Sequence, residues 1–451
     1  MRREQKQRLE KLKREMQAQE ETPLPKDPIK FSREVLKFNP LPYQEKLLQD
    51  QSDRIAVRFC RQSGKSTTLA AKGVIYALQH ENTTVLIVAP GLRQSMILMD
   101  RIQAHLGQMD PEYKALVASM QRTVVRFKKG SMMIALPCSE NLIRGITANL
   151  ILADEAAFFE RDEYMFSNVL MPMLATTEGS LIVSSTPWST KSMFYEFCKG
   201  KLSKRFSQHY ASWRDVVEAG LIEKSFIEDM QTSLLPQQFQ MEFEAEFTED
   251  VDTWLDQALI AKCINAELEY YPFERRVEGA FHVGVDFGKH QDHSCVAVME
   301  KQDQLMKLVH CHQFPLETAY ASVVGYVKAL SDRWRNVHAV YPDITGVGEF
   351  IVEEMSRGGI PGVKGVKFTV ESKENMATIL KDRMSRGNFK IPYDRELIGE
   401  LNVERYELTK TGHIQYSHPE GTHDDRFWAV CLAAAAATQS PTGEVEGFVF
   451  R

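Results

Sequence analysis

The chain has 451 residues, 43% hydrophobic and 26% charged, with a net charge of -6 and a pI of about 6.1. Such a length exceeds one ordinary core and predicts two or three domains, while the acidic balance argues against a generally basic nucleic-acid coat; a positive channel can still coexist with carboxylate-rich sites. Seven scattered cysteines without Cys-x-x-Cys or zinc-ligand spacing point to a reduced compartment, and the longest apolar run, residues 428–438, is too short for a bilayer, so a cytosolic protein with no membrane partner is expected.

Residues 1–21 alternate Arg and Lys with Glu and Gln and read as a solvated helix or disordered arm, not as a secretory signal. Pro23, Pro25 and Pro28 break that pattern and mark entry to a first domain, assigned to residues 31–250. Within it, β-type runs at 54–59, 84–89, 123–128 with 132–136, 150–153 and 181–185 alternate with helical stretches. That order predicts an α/β domain with a mostly parallel sheet covered on both faces, and function gathered at the strands' C-terminal ends.

The first such end is the stretch Arg58-Phe59-Cys60-Arg61-Gln62-Ser63-Gly64-Lys65-Ser66-Thr67, between an apolar run and a helical one. Strand, tight loop and helix is the setting of a phosphate-binding loop. Backbone N–H groups of residues such as Gln62, Ser63, Gly64 and Thr67 face the phosphates, Lys65 reaches the β/γ oxygens, and Ser66 offers a hydroxyl to Mg²⁺. Phe59 stands where the usual pattern has its first glycine. Support comes from 149–158, where four β-type residues deliver Asp154 and Glu155: Asp154 to hold Mg²⁺ through water, Glu155 to orient or deprotonate the attacking water. Tyr43 and Gln44, shortly before the loop, are expected to stack on and hydrogen-bond an adenine, with a half-buried helix start as the alternative. Ser184-Ser185-Thr186-Pro187 follows the next apolar strand, as hydroxyls sensing a γ-phosphate would.

Residues 251–277 read as a connector, with a helix over 258–271. A second domain, 278–438, follows, and 439–451 form a Gly/Pro-containing tail. Asp286 ends an alternating strand, 281–285; Asp343 follows another, 337–341; His423-Asp424-Asp425 begins an Ala-rich helix. Carboxylates from two neighbouring strands and a later helix start meet in an RNase H type of fold. Hard oxygen donors without thiolate select Mg²⁺ or Mn²⁺, and two such ions about 3.5–4 Å apart serve phosphodiester cleavage. His423 either orients a carboxylate, ligates metal or simply starts the helix, and His310-Cys311-His312 reads as strand filler.

With these motifs in this order, residues 38–438 resemble the large terminase subunit of tailed viruses. The resemblance rests on Cys60-Arg61-Gln62-Ser63-Gly64-Lys65-Ser66, 152–158, 184–187, 283–288, 343–349 and His423-Asp424-Asp425-Arg426; the missing first glycine is common in that family. It implies a P-loop ATPase of the ASCE type that drives DNA into a procapsid, and an RNase H-like nuclease that cuts concatemeric DNA. By motif position it implies that Arg61 acts on the γ-phosphate within one subunit and that Arg144 is offered across a ring to a neighbour's ATP, a salt bridge being the alternative for Arg144. It further implies double-stranded DNA, the portal protein and the small terminase subunit as partners. A ring, a pentamer, on the procapsid is implied as well, together with a monomer in solution, and a place in the host cytoplasm and transiently at the portal. Trp428 occupies a position where some relatives have a further Asp, which leaves open whether Asp424 or Asp425 ligates metal. Two rivals compete: a repair or restriction-type translocase fused to a nuclease, which would need helicase-like motifs not visible here, and an inactive prophage-derived assembly protein, against which Lys65, Glu155, Asp286 and Asp343 speak.

Overall fold

The computed structural model describes residues 23–249, 253–288, 292–408, 413–419 and 422–439; the N-terminal arm and the tail lie outside them. The first sheet holds β1 (Arg54–Phe59), β2 (Thr84–Ala89), β3 (Val117–Met120), β4 (Val124–Phe127), β5 (Met132–Pro137), β6 (Leu150–Asp154), β7 (Ser180–Ser184) and β8 (Ser207–Ala211), in the order β3-β4-β5-β2-β6-β7-β1-β8. From β5 to β8 every pairing is parallel, and β3 and β4 add an antiparallel edge. The runs that became central strands are apolar because both faces are covered: Val57, Phe59, Val85 and Ile87 join one core, and Ala56, Leu86, Val88 and Ile151 the other. The edge strands β3 and β8 have no such run. Their side chains alternate between partly buried and exposed, which left them without a strand signal in the sequence.

The second sheet has the order β12-β9-β10-β11-β13, with β9 (Glu278–Asp286), β10 (Cys295–Gln302), β11 (Leu305–Gln313), β12 (Arg335–Pro342) and the short β13 (Phe389–Lys390). Strands β9, β10 and β11 form an antiparallel meander, and β12 runs parallel to β9. An antiparallel pair, β14 (Arg405–Leu408) and β15 (Ile414–Ser417), stands apart from it. One face packs Val283, Val285 and Trp334. The other receives the helix Asp425–Gln439, whose run Ala433–Ala437 is buried throughout.

Alanines are required there because the helix lies almost on the sheet. A Cβ at Gly284 would stand 2.1 Å from the Ala429 carbonyl oxygen and 2.4 Å from the Ala433 nitrogen. Gly284→Ala therefore forces backbone apart, at a cost of about 3 kcal/mol and a midpoint lowered by roughly 6–12 °C. Because the same helix begins with Asp425, nuclease activity should fall with it; thermal melting and plasmid nicking check both.

The helix expected over 258–271 ends at Cys263. Ile264 instead bridges in parallel to Ile391, and the Asn265 N–H donates to the Ile391 carbonyl at 2.9 Å, so the chain satisfies its backbone across to the second domain. Phe158, Trp188 and Tyr393 then carry one apolar cluster from the first sheet to the second, with ring centroids 5.3 and 5.2 Å apart. Among the described residues no helix is long and apolar enough to cross a membrane.

Candidate active sites for nucleotide hydrolysis and DNA cleavage

The phosphate loop lies between β1 and the helix Lys65–Gln79. Gln62 (φ 60°) and Gly64 (φ 76°) are left-handed, and a Cβ at Gly64 would meet Gln44 Nε2 at 2.6 Å. Gly64 is also the helix N-cap and supplies no capping side chain, so the first-turn N–H groups at Lys65, Ser66 and Thr67 are left to an anion. Ser63 is buried and its hydroxyl donates to the Cys60 carbonyl at 2.6 Å.

Tyr43 and Gln44, expected either to meet an adenine or to begin a helix, lie in the first turn of the helix Pro42–Gln49 and brace the loop. The Tyr43 hydroxyl and Gln44 Nε2 donate to the Ser63 carbonyl at 2.8 and 2.9 Å, and Gln44 Oε1 accepts from the Leu41 N–H. With Gln44 only 3% exposed, both ends of its amide are committed to bracing the loop. Phe59 is fully buried edge-on against Tyr43, centroids 5.2 Å apart. A large ring thus serves as the loop's footing where other phosphate loops have glycine.

Strand β6 delivers the two acids to the loop. Lys65 Nζ stands 3.3 Å from Glu155 Oε1 and 3.9 Å from Asp154 Oδ1, and the Ser66 hydroxyl is 3.3 Å from Asp154 Oδ2. The Ser-Ser-Thr-Pro hydroxyls hold these acids directly: Ser184 donates to Asp154 at 2.5 Å and Ser185 to Glu155 at 3.1 Å. Burial pushes the Asp154 carboxyl above its ordinary range. Burial acts upward on Glu155 as well, but the Lys65 ammonium and then the Arg395 guanidinium outweigh it and hold Glu155 below its ordinary value. The Arg61 N–H donates to the Glu242 carbonyl at 2.7 Å, and its exposed side chain lines a cavity between the two domains. Arg144 pairs with Glu140 one turn earlier and with the Tyr164 hydroxyl, its side chain 65% exposed.

In the second domain Asp286 ends β9 and Asp343 follows β12, side by side because those strands are parallel neighbours; the Asp343 N–H donates to the Val285 carbonyl at 2.8 Å. Asp343 Oδ1 accepts from the Thr345 N–H and hydroxyl. Asp425 is buried and accepts from the His293 N–H at 3.2 Å and Gln313 Nε2 at 3.4 Å, with His423 Nδ1 at 3.9 Å. Asp424 is tied at 2.7 Å to the indole N–H of Trp428, the residue in place of a further acid. All four line a cavity of 440 Å³. Burial, then Asp343, Asp425 and Asp424 in that order, raises the Asp286 carboxyl well above its ordinary value. Among the described residues no three carboxylate, imidazole or thiolate groups converge as a ready chelate. The four acids nevertheless line one cavity and offer hard oxygens, which suits a small cation that keeps several of its waters.

Two residues of this cavity had no sequence signal. Lys373 lies in the charged helix Val370–Ser385 and stands 4.3 Å from the Trp428 ring centroid; Glu404 precedes β14, and burial and then Asp424 push its carboxyl up to about 10. His310 of β11, read as strand filler, bonds the hydroxyl of Tyr326 in the helix Tyr320–Arg333 at 2.7 Å.

A phosphate loop facing an Asp-Glu strand end, on a chain that continues into a carboxylate cluster on an RNase H-like sheet, defines a two-domain ATP hydrolase and nuclease. Residues 58–262 match the family model described as "Terminase large subunit, T4likevirus-type, N-terminal", and residues 283–437 that of the "Terminase RNaseH-like domain". The curated large terminase subunit of Thermus virus P23-45 is 25% identical over 443 residues, spanning 89% of this chain and 88% of that one; that of Thermus phage G20c is 24% identical over the same share. A solved large terminase nuclease from phage G20c, with bound magnesium, is 27% identical and covers 37% of this chain and 84% of its own, with a TM-score of 0.32. The chain belongs to the large terminase subunits, and it is an ATPase and endonuclease acting on DNA in a packaging complex.

Proposed function

We propose that this chain hydrolyses ATP at the phosphate loop to drive double-stranded DNA into a procapsid, and cuts concatemeric DNA at the second carboxylate site. The observation that carries the motor half is the meeting of Lys65, Ser66, Asp154 and Glu155 within 3.9 Å at one strand end. Loop N–H groups and Lys65 bind the phosphates, Ser66 and Asp154 would hold Mg²⁺, and Glu155 orients the attacking water and takes its proton. Arg61 neutralises γ-phosphate charge within the subunit. Arg144, 65% exposed beside its partners Glu140 and Tyr164, is the arginine offered to the next copy in a ring of five.

In the nuclease, Asp286, Asp343 and Asp425 would hold two Mg²⁺ or Mn²⁺ ions, whose chemistry would be to activate a water and neutralise the leaving oxygen. Asp425 is preferred over Asp424 because the Trp428 indole N–H occupies Asp424 Oδ2. DNA contacts are chiefly to phosphates and fall off with salt. Portal protein and small terminase subunit complete the assembly in the host cytoplasm. A triplex-displacement assay with the purified chain tests the motor: an ATP-dependent loss of the third strand is expected. Hydrolysis stimulated by DNA with no displacement, at chain concentrations high enough to form rings, would overturn translocation.

A further inference from the structure

The ATPase site contains a residue from the other domain. Arg395 opens the helix Arg395–Val403 of the nuclease domain, behind Asp394, whose Oδ1 caps that helix at the Glu396 and Leu397 N–H groups and whose Oδ2 accepts from the Tyr270 hydroxyl. Its side chain reaches across the domain boundary. The guanidinium donates to Thr186 Oγ1 at 2.7 Å, to Glu242 Oε1 from Nε at 3.1 Å and again from Nη2, and stands 3.7 Å from Glu155 Oε1. These three partners belong to separate parts of the hydrolysis machinery. Glu155 is the water-orienting acid, Thr186 ends the hydroxyl motif after β7, and Glu242 holds the Arg61 N–H through its carbonyl.

We propose that Arg395 is a positioning residue for ATP hydrolysis, supplied in cis by the nuclease domain, which fixes Glu155 against Thr186 and Glu242. The inference rests on Glu155 acting in hydrolysis as proposed above. Lys65 is the other cation on Glu155, and an ammonium that turns to phosphate leaves Arg395, beside the Ser185 hydroxyl, as the cation that keeps this carboxylate aimed. The planar fork suits the task, since one guanidinium engages a carboxylate, a hydroxyl and a second carboxylate at fixed angles.

The same helix ends at the other site. Glu396 and Glu400, one turn apart, both hold Arg426, the residue after Asp425, and the Arg426 N–H donates to Glu400 at 2.8 Å. A rigid element about 13 Å long, at 1.5 Å per residue, thus touches the hydrolytic acid at its first turn and the start of the nuclease helix at its second. A cavity of 310 Å³ runs beside it, lined by Arg61, Glu242 and Arg395 toward one site and by Glu400, His423 and Arg426 toward the other. Hydrolysis consequently depends on how the nuclease domain is seated.

The test uses the full chain carrying Arg395→Ala, Arg395→Lys or Glu155→Ala, with three readouts: ATP turnover, affinity for a fluorescent ATP analogue, and Mn²⁺-supported plasmid nicking. A misplaced catalytic group costs about 10²-fold, so Arg395→Ala should lose about that factor in kcat while analogue affinity and nicking stay at wild-type values. Arg395→Lys, which keeps the charge but not the fork, should recover part of the loss. Wild-type kcat in Arg395→Ala overturns the proposal. So does a loss of affinity or nicking in step with kcat, which would make Arg395 an interdomain clasp. If Glu155→Ala is inactive while Arg395→Ala is not, only this inference falls; if Glu155→Ala still turns over ATP, the assignment of the hydrolytic site falls with it.

Discussion

Glu155→Ala is expected to lower ATP turnover by about 10²–10⁴-fold, the range for loss of a positioned general base, without releasing the nucleotide. Binding survives because the groups that hold phosphate and metal are others: the loop N–H groups behind Gly64, Lys65, and the Ser66–Asp154 pair at 3.3 Å. What is lost is the carboxylate that Ser185 and Arg395 hold in place, and Lys65 retains Asp154 at 3.9 Å as an anionic neighbour. Backbone strain adds little, for Glu155 sits at φ 51° whether its side chain is long or short. Mn²⁺-dependent nicking should be untouched, since the second carboxylate cluster is built on another sheet. Phosphate-release and analogue-binding measurements separate the two effects; turnover near wild type would remove Glu155 from the mechanism.

Asp286→Asn should abolish nicking, by about 10³-fold or more if a metal ion's several kcal/mol of stabilisation is lost, and should make the metal-free protein more stable. The second effect follows from the raised Asp286 carboxyl. A folded-state value above the unfolded one, about 3.9, means that the fold disfavours the ionised form at neutral pH; this cost is absent below the unfolded value and grows as pH rises past it. Asparagine carries no such cost. In EDTA, melting of the variant should therefore exceed wild type at pH 7, and the gap should close as pH falls toward 4. A variant that nicks normally, or one less stable than wild type at pH 7 in EDTA, contradicts the placement of Asp286 at the centre of the cluster.

Most of both sites could be read from residue order, because each depends on short local patterns. The Gly64-Lys65-Ser66 turn, the apolar run into Asp154-Glu155 and the strand ends at Asp286 and Asp343 each signal a backbone geometry within ten residues or so. The bracing role of Tyr43 and Gln44 had no such signal, because their bonds to the Ser63 carbonyl join residues about twenty positions apart. Edge strands β3 and β8 were silent because an edge needs no continuous apolar run.

By itself, the sequence determined two α/β units, their order, and the acids and bases at their strand ends, since periodicity and strand-end carboxylates are local properties of the chain. Tertiary structure alone decided which distant groups face those acids. Arg395 lies 240 positions beyond Glu155 and has the composition of any helix start, and Lys373 that of any charged helix face. Packing of Phe158, Trp188 and Tyr393 into one core brings the first of them to the ATPase site. Long-range electrostatic partners are chosen by how domains dock, a property that no stretch of sequence carries.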